Sequence, residues 1–254
     1  MSTQRSTAWI KAVQRSLAPP TSSEGALRRQ LLDVLLTPVE PLKMTYEEFL
    51  AWADEDTLAE WVALPGEKVG EVIMTSPASS RHQNISGFLA SVMRMYIETR
   101  GLGILYSAPF QMKLVHGREP DLLFVGQKHV SRLKENYLDG PADLVVEIVS
   151  PESVGRDRGE KFYEYAQGGV PEYWLIDPQM EWAEFYQLKG EHYALVFSGK
   201  EGEYRARQLA GFWLRVEWLW QDPLPLSIRI LAEIVGMDAS LVEAFEQALM
   251  GERS

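Results

Sequence analysis

Cysteine is absent from the whole chain. That excludes a disulfide framework, a thiolate metal site and a cysteine nucleophile, and it is compatible with the reducing cytoplasm, the expected location. Histidine is scarce: the four residues 82, 116, 129 and 192 form no HExxH and no paired spacing, which argues against zinc. No apolar run approaches the ~18 residues of a membrane span, and no signal-peptide core precedes a small-residue cleavage site. Gly-x-Ser-x-Gly is missing, so no serine is set on the strand-to-helix elbow of an α/β-hydrolase. Any metal would therefore be held mainly by oxygen, which favours Mg²⁺ or Mn²⁺.

Positive charge is also in short supply, with 25 Lys+Arg against 36 Asp+Glu and a net charge of −11. A nucleic-acid partner normally calls on basic surface. The deficit is uneven, however. Residues 1–80 carry 7 basic against 11 acidic side chains, and residues 162–254 carry 7 against 15, while the central 81–161 carry 11 against 10. The middle of the chain is the least anionic part and permits a nucleic-acid substrate.

What is present is a chain of 254 residues, 46% hydrophobic and 24% charged, enough for one sizeable core. Arg5, Lys11 and Arg15, with Trp9, Val13 and Leu17 at helical spacing, read as a short surface helix. The cluster Pro19-Pro20-Thr21-Ser22-Ser23 separates it from a second helix over 24–36, which Pro38 and Pro41 stop. Residues 1–40 are thus expected as a helical appendage, 41–226 as the main domain and 227–254 as a second helical appendage. The apolar stripes of the two appendages could cover the core or form a homodimer seam.

Within the main domain, Thr45-Tyr46-Glu47-Glu48 and Ser80-Arg81-His82-Gln83 read as capping boxes. A hairpin is expected from 58–64 and 69–75, and a long helix carries Ile85, Phe88, Leu89, Val92 and Tyr96. Strands follow near 102–107, 110–115 and 121–125, then a polar helix near 127–136. The run Leu144–Val149 has the continuous apolar character of a strand covered on both faces. A helix over 157–167 ends at Gly168-Gly169, a strand returns at 172–176, and 183–197 form an antiparallel meander. The sum is a mixed sheet flanked by helices.

Three short pieces carry chemistry. Asp121 opens the apolar strand of EPDLLFV, Glu147 lies inside ADLVVEIVSPES, and Asp157 and Lys161 stand one turn apart in RDRGEKFYEY. Two carboxylates on neighbouring strands and a nearby ammonium are the parts that hold a hard divalent cation and orient a water. A carboxylate inside LVVEIV needs a cation, whether a metal or an ion-pair partner such as Lys161 or Arg158. Lys161 lies at the border of the apolar face, where it could reach over the sheet or make a plain surface pair with Asp157. His82 and Gln83 open the long helix, where capping is one reading and a substrate or water contact the other.

The runs EVIMTSPASSRHQ, EPDLLFV, GPADLVVEIVSPESVGRDRGEKFYEYAQGGVPEYWLIDP and GFWLRVEWLW resemble the Uma-type restriction endonucleases, a mostly bacterial family within the PD-(D/E)XK nuclease superfamily. The resemblance covers about residues 45–222. It implies a restriction-endonuclease-like fold and metal-dependent hydrolysis of DNA. Pro120-Asp121 match the superfamily's Pro-Asp, and Glu147 matches its second acid. The usual lysine would fall on Val149, and the resemblance places Lys161, on the following helix, in that role. It also implies a third carboxylate upstream, for which Glu60 or Glu71 could serve, Glu60 being preferred because its strand alternates in LAEWVAL. A catalytically inactive nucleic-acid or protein-binding module on the same fold is the alternative.

Overall fold

The computed structural model describes residues 42–53, 59–64, 66–74, 78–150, 153 and 155–250; the helices read within 1–40 lie outside them. The chain divides into two compact units, Met1–Leu42 and Lys43–Ser254, and the second carries everything that follows. Its strands are β1 (Lys43–Thr45), β2 (Ala59–Val62), β3 (Val69–Met74), β4 (Gly103–Ser107), β5 (Gln111–Lys113), β6 (Gly117–Arg118) and β7 (Leu122–Gly126). They continue with β8 (Tyr137–Asp139), β9 (Leu144–Ile148), β10 (Glu172–Asp177), β11 (Trp182–Lys189), β12 (His192–Gly199), β13 (Glu203–Arg205) and β14 (Trp213–Arg215). The helices are α1 (Tyr46–Trp52), α2 (Ser80–Arg100), α3 (Lys161–Gly168), α4 (Ser227–Val235) and α5 (Ala239–Met250).

Alternation along β9 sets the layering. Leu144, Val146 and Ile148 join one core, against Ile85, Leu89, Val92 and Met93 of α2. Val145 and Val149 join another, against Tyr165 of α3 and Tyr173 of β10. Both faces are covered, which is why the segment reads as an unbroken apolar run. Each large apolar side chain so buried contributes roughly 1.5–3 kcal/mol. The central sheet runs in the order β12-β11-β10-β9-β7-β4, with β9 and β10 parallel and the other neighbours antiparallel.

A second six-stranded sheet has the order β1-β3-β2-β6-β5-β8 and packs a third core around Tyr46, Phe49 and Trp61. The sequence suggested one mixed sheet. The second escapes notice because β6 and β8 are only two and three residues long, too short to show a period. Its hairpin β2–β3 pairs as expected, Ala59 facing Met74. A Cβ at Gly117 would lie 2.6 Å from the Tyr46 ring and 2.7 Å from Gln111 Oε1, so any larger residue would have to displace the hydrogen-bonded pair of Tyr46 and Gln111.

Thr45 and Glu48 make the expected capping box on α1. On α2 the cap is Ser79, one residue earlier than read, its hydroxyl accepting from His82 N. Residues Gln127–Arg132 form a 3₁₀ turn in place of the expected longer helix. Gly169, at φ 84, ends α3. Helix α4, read as part of an appendage, places Ile230 and Ile234 in the same core as α2. No helix among the described residues is long and apolar enough to cross a membrane.

Glu172, wholly buried on β10, anchors the strand to the segment beyond β13. It accepts from Trp174 Nε1 at 2.8 Å, Tyr204 Oη at 2.7 Å, Arg207 N at 2.9 Å and Gln208 N at 2.7 Å. Glu172→Ala strands all four donors at once, so urea unfolding is expected to show a loss of about 3–5 kcal/mol. A midpoint equal to the parent's would show that water replaces the carboxylate there.

Candidate active site

Four acidic or basic side chains, Glu147, Lys161, Glu60 and Asp157, meet on the α3 side of the central sheet, and Asp121 adds its charge to theirs. Glu147 lies in β9 between Val146 and Ile148, so strand alternation turns it to the same face as Val145 and Val149, and it is 3% exposed. Tyr165, from α3, donates to Glu147 Oε1 at 2.6 Å. Lys161, at the start of α3, donates to both carboxylate oxygens of Glu147 at 3.1 Å. The same ammonium lies 3.1 Å from Glu60 Oε1 and 3.5 Å from Asp157 Oδ1. Asp121, immediately before β7, takes the Ile148 backbone N–H at 2.6 Å on Oδ2.

The upstream ambiguity between two glutamates has a geometric outcome. In β2, Ala59 and Trp61 face the third core, and alternation turns Glu60 the other way, towards Lys161. Glu71 is 49% exposed at its side chain and pairs with Lys43 at 3.2 Å. Glu60 therefore enters the cluster and Glu71 does not.

Asp157 departs from the sequence reading of a plain surface pair with Lys161. The residues Arg156–Glu160 form a π-helical turn leading into α3, and Asp157 is 1% exposed. Its Oδ2 accepts from Ser153 Oγ at 2.5 Å, and Tyr173 Oη donates to its carbonyl at 3.1 Å. Its Oδ1 is buried without a hydrogen bond among the described residues, 3.5 Å from the ammonium of Lys161.

Arg118 is the residue that sequence reasoning missed. Entirely buried in β6, its guanidinium gives Glu60 Oε2 a bond of 3.0 Å and Glu164 two bonds of 2.7 Å each. Glu160 lies 3.5 Å away, and His116 Nε2 approaches Glu164 at 3.3 Å. The available signal was weak: an arginine three residues before Asp121, in a stretch with no strand period. Glu119, beside it, accepts from Gln111 at 3.0 Å, and burial pushes its carboxyl up to about 7.

One ammonium cannot neutralise the acids around it, and the proton affinities show how the charge is shared. Burial opposes the charge of Lys161, but Glu147, Glu60, Asp157 and Asp121 together hold it above its ordinary range. Burial also opposes ionisation of Glu60, and Lys161 and Arg118 outweigh it, so that carboxylate is lowered. Glu147 goes the other way. Burial raises it well above the usual carboxylate value, with Asp157 and Asp121 adding to burial against the relief from Lys161 and Tyr165. Asp157 is raised by burial for the same reason, against Lys161 and Ser153.

Such a cluster has oxygen donors in excess of positive charge, and one of its buried oxygens lacks a hydrogen bond, which is the chemistry that suits a hard divalent cation. Among the described residues no three acids or histidines already surround a common ligand position. In this arrangement Glu60, Glu147 and Asp157 centre on the Lys161 ammonium. Asp121 is the open edge of the group, with a side chain 18% exposed.

The family model described as "Uma2: Putative restriction endonuclease" matches residues 46–217, a span that contains every residue of the cluster. No curated protein matches the chain. Among solved structures, the chain is similar to "a putative nuclease belonging to DUF820" from Anabaena variabilis, with a TM-score of 0.59 and 17% identity. That match covers 70% of this chain and 97% of the other, and it places the two in one fold, the restriction-endonuclease-like arrangement of mixed sheets flanked by helices.

Proposed function

The chain belongs to the Uma2 family, and from that premise we propose that it is a metal-dependent endonuclease hydrolysing DNA phosphodiester bonds. The observation that carries the reading is the convergence of Glu60, Glu147 and Asp157 on Lys161, with Asp121 bonded to the adjacent strand.

Asp121 and Glu147, with Glu60, would hold Mg²⁺ or Mn²⁺. When bound, the ion would supply Lewis-acid stabilisation of the scissile phosphate and lower the pKa of a water. The remaining roles fall to the chain. Lys161, kept charged by its acids, offsets their mutual repulsion and supplies positive charge where phosphorane charge develops. Tyr165 fixes the rotamer of Glu147, and the Ile148 amide fixes Asp121. The aromatic packing of Tyr165 on Tyr173, ring centroids 5.4 Å apart, shuts water out from behind Glu147 and strengthens each charge–charge interaction.

With supercoiled DNA and Mg²⁺, the parent protein is expected to nick or linearise the substrate, and Glu147→Ala and Lys161→Ala to do neither. Equal activity in all three, or no cleavage by the parent across divalent metals, overturns the proposal. A binding module without catalysis is the second reading. It is favoured by the net charge of −11 and by the deep burial of Glu147 and Lys161. It expects DNA or protein binding indifferent to divalent metal and no turnover.

A further inference from the structure

The first turn of α2 is held from two sides. Ser79 Oγ accepts from His82 N at 3.2 Å, and Gln83 N donates to Ser79 O at 3.0 Å. Arg81 reaches across to the carbonyls of Leu219 at 2.8 Å and Gln221 at 3.0 Å. Capping is thus done by backbone groups and Ser79, and the imidazole of His82 takes no part in it. The ring is buried and places Nε2 3.2 Å from Asp121 Oδ2.

That oxygen is the one that also accepts from Ile148 N at 2.6 Å. A backbone donor from β9 and an imidazole nitrogen from α2 therefore converge on a single oxygen of Asp121. Oδ1 takes no bond from either. The other ring nitrogen, His82 Nδ1, is buried with no hydrogen-bond partner among the described residues. A residue present only to fill space would avoid that cost, since phenylalanine fills a similar volume with no polar atom to strand. The imidazole is worth keeping for its Nε2–H.

We propose that His82 is a positioning residue, which holds the Asp121 carboxylate with Oδ1 free to meet a divalent cation. The inference rests on the metal-dependent reading above and adds to it a residue outside the acid–lysine cluster. Outer partners of this kind orient a ligand before the ion arrives, and their loss usually weakens metal binding by about 10–100-fold.

The test is titration of the full-length protein with Mn²⁺ by calorimetry, without DNA, on the parent, Asp121→Asn, His82→Phe and His82→Gln. Thermal melting of each without metal runs alongside. His82→Phe is expected to bind Mn²⁺ at least ~10-fold more weakly than the parent while its metal-free melting stays close. His82→Gln, whose amide can still donate to Asp121, is expected to stay within about threefold of the parent, a rescue that a packing role would not give. Should His82→Phe fail to fold, His82→Asn, whose amide is too short to reach Asp121, carries the same expectation. Parent-like Mn²⁺ affinity in the variants that lack the donor overturns the inference, as does equal weakening by His82→Gln. Failure of the underlying reading looks different: either the parent binds no Mn²⁺, or Asp121→Asn binds it as tightly as the parent.

Discussion

Glu147→Gln should abolish DNA cleavage while leaving the protein as stable as the parent, and at higher pH more so. The substitution keeps the shape of the side chain and an acceptor for Tyr165, which donates to Oε1 at 2.6 Å. Lys161 retains Glu60 at 3.1 Å and Asp157 at 3.5 Å. Removing one acid from a group with too many of them costs little, and a net change within about 1 kcal/mol at pH 7 is expected. Catalysis should fall by about 1,000-fold or more, because a neutral amide neither holds a divalent cation nor balances the ammonium in the same way.

The pH dependence has a definite sign. Burial raises the Glu147 carboxyl well above its ordinary 4.5, so the folded state holds that proton more tightly than the unfolded chain does. Its contribution to stability is fully present below about pH 4.5 and is lost as the pH rises through the folded value. Glutamine has no proton to lose, so the variant's advantage over the parent should widen from pH 5 upward. Chemical denaturation at a series of pH values measures this. A variant that weakens relative to the parent with rising pH would show that Glu147 is a stabilising anion in the folded protein.

Arg118→Leu should show a large loss of stability at neutral pH, one that shrinks only at acid pH, where the stranded carboxylates of Glu60 and Glu164 take up protons. The guanidinium is wholly buried and bonds Glu60 and Glu164 at 2.7–3.0 Å. Leucine replaces the stem but leaves Glu60 with only part of its compensation and Glu164 without its two strongest bonds. Breaking a buried pair from one side typically costs about 3–5 kcal/mol, measured as a shift in the guanidinium chloride midpoint. Adding Glu164→Gln should recover part of the loss, since it removes one of the stranded charges. Cleavage should fall as well, because Glu60 reaches Lys161 from a position that Arg118 sets. An unchanged midpoint would mean that the network is solvated in a way its burial does not suggest.

Much of this was legible in the chain because burial and period act together. Leu144–Ile148 announced a strand covered on both faces, and the apolar positions of α2 follow the helical spacing that its core contacts require. The acid at 147 drew attention for an energetic reason: a carboxylate among valines must find a cation, and the structure puts two donors on it. Arg118 gave no such warning, since a two-residue strand has no period and an arginine is unremarkable in a loop. Asp157 was misread because helical phase was counted as though the segment were a regular α-helix. The alternation in LAEWVAL already favoured Glu60 over Glu71 in the sequence, and the pairing of Glu71 with Lys43 sets Glu71 apart from the cluster in three dimensions.

The π-helical turn at Arg156–Glu160 bears on how this chain tolerates changes in length. Such a turn carries one residue more than the α-helical path it interrupts. Deleting one residue there, such as Gly159, around which a Cβ would meet nothing within 4 Å, would let α3 continue upstream without interruption. The first turn would then swing by about 100°, carrying Asp157 out from beside Ser153 and Tyr173 while Lys161 kept its seat. A single codon lost in this stretch would thus subtract an acid from the cluster and, in the same swing, draw Arg158 away from Glu184, which it bonds at 2.6 Å.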